Sequence, residues 1–141
     1  MGAITIRSPE DTPLVVTRDV VPEGPLREKL GEGELATAVR SFHPGGPETL
    51  QLFEVNVQPD GVIEQHAHQE DEIIFVLEGE LHLGRRVLSP GHSVHIPGLT
   101  LYTFRAGPNG LRFLNVRARQ DATYITKDEL MAMRKEMSAA S

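Results

Sequence analysis

The sequence contains no cysteine and no tryptophan, and it has no long run of apolar residues. Without cysteine there is no disulfide bond, thiolate metal site or thiol nucleophile, so any metal must be bound by nitrogen and oxygen. No stretch approaches the roughly 20 apolar residues of a membrane-spanning helix, and the N-terminal residues lack the apolar core of a signal peptide. We therefore expect a cytoplasmic protein that does not bind a membrane.

Positive charge is also scarce, with 14 Lys and Arg against 20 Asp and Glu and a formal net charge of −6. The basic residues are scattered along the chain, apart from the pair Arg85 and Arg86. This balance repels a phosphate backbone and offers no basic patch for it. Nucleic acid is thus not expected as a partner, and a small-molecule substrate or ligand is.

The length and the distribution of turn-forming residues predict one domain. A chain of 141 residues can bury one continuous core, and two full domains would be cramped. Proline and glycine punctuate the first 35 residues, and β-rich runs separated by turns follow. We predict an N-terminal arm and long loop over residues 1–35, a β-barrel over 36–120, and a C-terminal helix and tail over 121–141.

The central region predicts an all-β fold, because short strand-like runs recur there with turns and no helices between them. Phe53, Val55 and Val57 share one face of their run and Leu50 and Leu52 begin the other, which predicts that both faces are partly covered. Turns are predicted at HPGGPE, QPDG, SPG and GPNG. The predicted strands are ATAVRSFH, TLQLFEVNV, DEIIFVLE continued by ELHL after Gly79, VL, HSVHIP, LYTF and LRFLNVRA.

The C-terminal segment predicts a short α-helix. Thr126 with Glu129 three residues later matches a capping box, and Leu130, Met133 and Met137 fall on one helical stripe. We expect this stripe to pack against the barrel exterior or against a second subunit.

A candidate metal site lies in the segment PDGVIEQHAHQEDEIIFVLEGE, residues 59–80. His66 and His68 are two residues apart, so on an extended strand their imidazoles project from the same face. Glu72 can return a carboxylate to the same point if the residues between make a tight bend. Such a set suits a divalent transition metal, namely Fe, Zn, Mn, Ni or Cu, and leaves coordination positions open for substrate. A histidine pair of this kind also occurs on solvated strands, so the surrounding pattern matters.

That pattern resembles the first conserved motif of the cupin superfamily, which runs glycine, spacer, His-any-His, three or four residues, glutamate, six residues and glycine. Gly61, His66, His68, Glu72 and Gly79 match it, except that the first spacer has four residues where five are usual. Residues 89–104 resemble the second motif through Gly91 and Pro97. The two motifs span residues 59–104, with a compatible β-pattern from about 36 to 118. The resemblance implies a double-stranded β-helix, the jelly-roll or cupin barrel of RmlC-like proteins, and a metal site on the two histidines and the glutamate.

The second motif departs from the family at one important position. Tyr102 stands where the family's second motif places its metal-binding histidine. Tyr102 can ligate as a phenolate, stay neutral and act as a catalytic hydrogen-bond donor, acid or base, or serve only as an aromatic wall. His95 could replace the missing histidine, although it alternates with Val94 and Ile96, and one of these two faces must point away from the cavity.

Two functional hypotheses follow from the resemblance. The first is a metal-dependent enzyme acting on a small oxygenated organic substrate, of dioxygenase, isomerase, lyase or cyclase type, with Tyr102 catalytic and the loop 22–35 closing over the mouth. The second is a non-catalytic small-molecule-binding cupin with a structural metal or none.

Arg40, Arg112 or Arg117 could clamp a substrate carboxylate if one of them points inward, although most strand arginines face water. Small cupins commonly dimerise, and the arm 1–20 could pair with a partner's edge strand, so we expect a homodimer.

Overall fold

The computed structural model describes residues 2–140 and consists of antiparallel strands with short helices at both ends. The strands are β1 (Val15–Val16), β2 (Ala38–His43), β3 (Gln51–Val57), β4 (Val62–His66), β5 (Glu72–Leu83), β6 (Arg86–Leu88), β7 (Ser93–Ile96) and β8 (Tyr102–Arg117). The helices are α1 (Thr17–Val20), α2 (Pro25–Lys29), α3 (Glu32–Leu35) and α4 (Lys127–Ala140). The predicted all-β architecture with an N-terminal arm and a C-terminal helix is confirmed. The first residue of the predicted arm and the last residue of the predicted tail, Met1 and Ser141, lie outside the described residues.

The long strand β8 organises the barrel because it pairs with three others. Its second half lies between β3 and β5, and its first half pairs with β4. The sheet runs in the order β1-β2-β3-β8-β5-β6, with β7 added to β5. The core fills the space between the two curved halves. It consists of Val55, Val57, Ile63, Ile74, Val76, Leu81, Ile96, Phe104, Ala106, Leu111 and Phe113.

One local prediction along the strands is wrong. GPNG does not reverse the chain: β8 continues through it with Gly110 at φ +85° and a register shift against β5, where Gly79 pairs with Leu111 and Leu81 with Ala106.

The prediction that both faces of the second run are partly covered is confirmed: Val55 and Val57 are buried on one face, and Leu52 and Glu54 are half-buried and buried on the other, although Leu50, just before β3, is 67% exposed.

The N-terminal segment is more ordered than the long loop that the sequence predicts. After β1 pairs with β2, the chain forms α1, α2 and α3, with Pro25 at the start of α2, where a missing N–H costs nothing. Helix α3 packs closely on β4, since a Cβ on Gly33 would lie 2.1 Å from the Val62 carbonyl oxygen. Amphipathic periodicity cannot reveal helices of four or five residues.

The C-terminal capping box is confirmed. Thr126 N donates to Glu129 Oε1 at 3.1 Å and Glu129 N donates to Thr126 Oγ1 at 3.2 Å. Leu130 is fully buried against Ala67 and Ile125, and Met133 packs beside them. Met137 is exposed, so the stripe contacts the barrel only in its first turns.

The backbones of β5 and β8 approach each other closely at Gly79, and a substitution there can test this packing. Its φ is +77°, and a Cβ there would lie 2.1 Å from the Gly110 carbonyl oxygen. We expect Gly79→Ala to lower the free energy of unfolding by roughly 3 kcal/mol, since backbone must move as well as adopt a strained φ. Gly84→Ala is the control, because Gly84 has φ +59° and a Cβ there would meet no atom of the described residues within 4 Å, and it should cost only about 1–2 kcal/mol. Equal losses in urea unfolding would contradict the close-approach argument.

Candidate metal centre and pocket

The two histidines of the predicted site converge. His66 ends β4, His68 follows two residues later, and their Nε2 atoms lie 3.1 Å apart. His66 Nδ1 lies 2.7 Å from the Glu64 carbonyl oxygen, and His68 Nδ1 contacts the Thr123 carbonyl oxygen. A carbonyl oxygen can only accept, so both Nδ1 atoms carry the hydrogen when the rings are neutral. Both Nε2 atoms then present lone pairs, and neither can donate to the other.

Burial keeps these imidazoles neutral. It lowers the pKa of His66 to about 4 and also lowers the pKa of His68, and the nearby charge of Arg117 acts in the same direction on both. A proton therefore does not bridge the two facing lone pairs at neutral pH. Arg117 Nη2, 3.3 Å from His68 Nε2, is a donor to one of them.

Glu72 is brought to the same region, but its carboxylate is held by other residues. Glu72 pairs with Arg117 across β5 and β8 and is only 2% exposed. Its Oε2 accepts from Arg117 Nη2 at 2.9 Å, Arg117 Nε at 3.1 Å and Asn115 Nδ2 at 2.9 Å. Burial alone would raise the pKa of Glu72, but the charge of Arg117 and the hydrogen-bond donors around the carboxylate outweigh it and lower that pKa. Glu72 is therefore an ionised carboxylate in a fixed ion pair.

The other carboxylate oxygen, Glu72 Oε1, is buried without a hydrogen-bond partner among residues 2–140. The Tyr102 hydroxyl interacts with this carboxylate strongly enough to influence its pKa, but it does not satisfy Oε1 with a hydrogen bond of ordinary geometry. A buried carboxylate oxygen with no partner is unusual and costly. Together with the two imidazole nitrogens, of which His68 Nε2 already receives a 3.3 Å contact from Arg117 Nη2, it supplies a third lone-pair donor of the kind that a divalent ion accepts.

The donor set therefore suits a transition metal chemically, while its present arrangement is incomplete. Within the described part of the chain, no three His, Asp or Glu side chains are grouped closely enough to hold one ion. The two histidine nitrogens are aligned as a pair, and Glu72 is directed through Oε2 toward Arg117.

Tyr102 lies opposite His66 in the pairing of β4 with β8, which explains its place beside the site. The ring centroids of Tyr102 and His66 are 4.7 Å apart. Burial and then the negative charge of Glu72 raise the pKa of Tyr102. Its hydroxyl is therefore neutral, which favours a role as hydrogen-bond donor over one as phenolate ligand.

His95 does not replace the missing histidine, and this alternative is wrong. It lies on the outer face of β7, with its side chain 56% exposed, and its Nε2 lies 3.0 Å from Asp71 Oδ2. Its cross-strand neighbour Ile73 is also exposed, so the whole face points away from the barrel interior.

Arg117 is the strand arginine that points inward, and Asn115 and Tyr124 join it at the site without having been predicted there. Asn115 and Arg117 alternate with outward-facing Val116 and share the inward face of Phe113, so polar residues in phase with a core position were the available signal. Tyr124 lies beyond the barrel and stacks on His66 with centroids 4.3 Å apart. No sequence signal predicted that contact.

A cavity of about 180 Å³ inside the barrel is lined by the site's side chains other than Glu72, namely His66, His68, Tyr102, Asn115, Arg117 and Tyr124. Its wall is largely apolar, with Phe53, Phe104 and Phe113 among the lining residues, and Leu30 and Glu34 reach it from the N-terminal helices. The helical segment thus lies at the cavity, at the position where a closing loop was predicted. The volume is below the roughly 300–1,000 Å³ of drug-sized ligand sites, which favours a small ligand.

Comparison with known proteins agrees with this fold. Residues 53–117 match the family model described as a cupin domain. The polyketide cyclase RemF from Streptomyces resistomycificus is 26% identical, with a TM-score of 0.63 over 90% of this chain and 86% of that one. An RmlC-like cupin from Ralstonia eutropha JMP134 is 14% identical, with a TM-score of 0.63 over 99% of this chain and 89% of that one.

KdgF from a Halomonas species is 23% identical, with a TM-score of 0.52 over 64% of this chain and 88% of that one. No curated protein sequence matches the chain. The family match over residues 53–117 and the RmlC-like structural neighbours support a small cupin-superfamily protein with a cupin fold. Among residues 2–140, no helix is both long and apolar enough to cross a membrane.

The buried ion pair gives a prediction that does not depend on a metal. Arg117→Met leaves the Glu72 carboxylate buried without a cation and should lower the free energy of unfolding of the metal-free protein by about 3–5 kcal/mol at pH 7. Arg117→Met combined with Glu72→Gln should recover most of this loss, because no uncompensated charge remains. Arg119→Met is the control, since Arg119 forms a more exposed pair with Glu70 and should cost less than about 1 kcal/mol.

The stabilisation that the Glu72–Arg117 ion pair provides should decrease as the pH falls. The pKa of Glu72 is lowered from 4.5, so the ion pair stabilises the wild type above about pH 4.5 and loses that contribution as the pH falls through the folded-state value. The difference between wild type and Arg117→Met, measured by urea unfolding, should therefore shrink on acidification. A difference that stays constant would contradict the role assigned to the ion pair.

Proposed function

We propose that this cupin is a metal-dependent enzyme that acts on a small oxygenated organic molecule, with one divalent transition-metal ion bound by His66, His68 and Glu72. The observation that carries the proposal is the pair of Nε2 lone pairs facing each other at 3.1 Å, in rings whose other nitrogens are committed to carbonyl oxygens. Two facing lone pairs repel each other unless a cation lies between them; Arg117 Nη2 approaches His68 Nε2 from one side, and the lowered pKa values of both histidines argue against a bridging proton. Fe, Zn, Mn, Ni and Cu all suit these donors.

The polar residues of the site have separate parts in this function. A bound ion would supply Lewis-acid polarisation of a substrate oxygen. Glu72 Oε1 is the carboxylate oxygen left for it, and Asn115 and Arg117 hold Oε2. Tyr102, with its neutral hydroxyl, donates a hydrogen bond to a substrate oxygen and stabilises negative charge that develops there. The aromatic wall excludes water from the reacting atoms.

The proposed reaction types are those open to a polarised carbonyl or enol in a small cavity: cyclase, isomerase, lyase or dioxygenase. A cyclase reaction has support from RemF, a polyketide cyclase that is 26% identical over most of both chains.

A second candidate function is binding of a small molecule without turnover or metal. The observation that favours it is Arg117, whose Nη2 donates to Glu72 and also lies 3.3 Å from His68 Nε2. A fixed cation at that point already satisfies part of the donor set and repels a second one. Metal content distinguishes the two candidates.

We expect the purified wild type, expressed in medium supplemented with Fe, Zn, Mn, Ni and Cu, to carry close to one transition-metal ion per chain by elemental analysis. His66→Gln and His68→Gln should each weaken binding of that ion more than about 100-fold by calorimetry, since removal of a direct ligand should cost at least as much as loss of an outer-shell partner. His95→Gln is the matched control and should bind as wild type does. Metal-free protein that is stabilised thermally by small organic ligands would favour the second candidate instead.

A homodimer is our proposal for the assembly. The arm carries Ile4 and Ile6, which are 94% and 82% exposed, and the outer face of the barrel presents Ile73, Phe75 and Val116. Ile73 and Val116 are cross-strand neighbours, so these side chains form a continuous apolar surface. Burying both features against a second copy would remove them from water.

The dimer can be tested by light scattering. We expect a mass of twice the 15.5 kDa of one chain, and Phe75→Lys should shift it toward one chain by placing a charge in the interface. Val87→Lys is the control, because Val87 is similarly exposed on β6, away from this surface. A wild-type mass of one chain at all concentrations would overturn the proposal.

A further inference from the structure

Residues 121–125, which we call the strap, lie within the connection between β8 and α4 and contact both histidines. Ala67 N donates to Ile125 O at 2.8 Å, and Ile125 N donates back to Ala67 O at 2.9 Å. Ala67 stands between His66 and His68, so this reciprocal pair fixes the backbone that carries both imidazoles. Behind it, Ala67, Ile125 and Leu130 form a small buried cluster that anchors the strap to α4.

Asp121 ties the strap to the chain on the other side of His68. Its Oδ2 accepts from Glu70 N at 2.8 Å, and its Oδ1 accepts from both Thr123 N, at 2.9 Å, and the Thr123 hydroxyl. Thr123 Oγ1 in turn accepts from Gln69 N at 3.0 Å. Asp121 is 7% exposed, and these bonds hold Thr123 in place relative to residues 69 and 70.

The position of Thr123 matters because its carbonyl oxygen accepts from His68 Nδ1. This acceptor at Nδ1, together with the Arg117 Nη2 donor 3.3 Å from Nε2, places the hydrogen of His68 on Nδ1 and leaves the lone pair on Nε2. A neutral imidazole without a fixed acceptor at Nδ1 exchanges between its two tautomers. A hydrogen on Nε2 would block that atom as a ligand and point it at His66 Nε2 as a donor.

We propose that Asp121 is a positioning residue that sets the tautomer of His68, by holding the Thr123 carbonyl oxygen against Nδ1. The functional value of this tautomer rests on the proposed function, in which His68 Nε2 binds a metal. The tautomer itself is a property of the metal-free protein and can be measured without an ion. Outer-shell partners of this kind typically change metal affinity by about 10–100-fold when they are removed.

The test is a long-range ¹H–¹⁵N correlation spectrum of metal-free protein labelled at histidine nitrogen, recorded at neutral pH. Wild type should show His68 with the hydrogen on Nδ1, and Asp121→Ala should show a mixture that includes the Nε2–H tautomer. Asp71→Ala is the matched control. Asp71 is an exposed aspartate that lies, like His68, in the connection between β4 and β5. Its carboxylate accepts from Gly98 N and contacts His95, both outside the strap, so this variant should leave the His68 tautomer unchanged.

Metal binding provides the second readout. Asp121→Ala should weaken binding of Zn²⁺ by about 10–100-fold in calorimetry, and Asp71→Ala should not. If Asp121→Ala does not fold, as judged by circular dichroism, Thr123→Val carries the test, because it removes the Gln69 and Asp121 bonds to the Thr123 hydroxyl and should also release the Nε2–H tautomer.

The outcomes separate this inference from the proposed function. A wild type that binds no metal while Asp121→Ala changes the tautomer would remove the metal-dependent function and leave the positioning role intact. Asp121→Ala protein that folds and keeps His68 wholly in the Nδ1–H form would overturn the positioning role, whatever the wild type binds.

Discussion

The buried ion pair of Glu72 and Arg117 is the interaction on which the electrostatics of the pocket depend. A carboxylate that is 2% exposed stays ionised only if a cation and hydrogen-bond donors replace the water it has lost. Arg117 supplies that charge from the facing position on β8, and Asn115 adds a donor. The negative charge of Glu72 in turn helps to keep Tyr102 neutral, and the positive charge of Arg117 helps to keep both histidines neutral.

This charge balance bears on what the pocket can bind. The site has no net negative charge with which to hold a divalent cation. Both imidazoles are neutral, and the charge of the Glu72 carboxylate is balanced by the Arg117 guanidinium. A divalent ion would therefore gain from an additional anionic oxygen, which a chelating enol or carboxylate substrate could supply.

The sequence predicted the barrel well because the signals for strands and turns are local. It predicted the site less completely because several of the site's residues come together only through contacts between distant parts of the chain. Strand runs, turn residues and the period-two spacing of His66 and His68 are read within short windows. Helices of four or five residues carry no periodicity, and a strand can pass through GPNG when its partners shift register. Arg117 and Thr123 reach the site only through long-range pairing, at positions 49 and 55 residues from His68. Residue type alone does not say that a strand arginine points inward, and no side-chain pattern marks a backbone carbonyl as an acceptor.

Because its parts come from distant segments, the site is complete only when the whole chain has folded. The first histidine ends β4, the arginine ends β8, and the strap closes over both with α4 anchored behind it. Closing loops of this length has an entropic cost that must be met before the contacts form. Docking of the C-terminal segment is therefore coupled to the orientation of the imidazoles, so a change that loosens Leu130 would disturb the nitrogen lone pairs without touching either histidine.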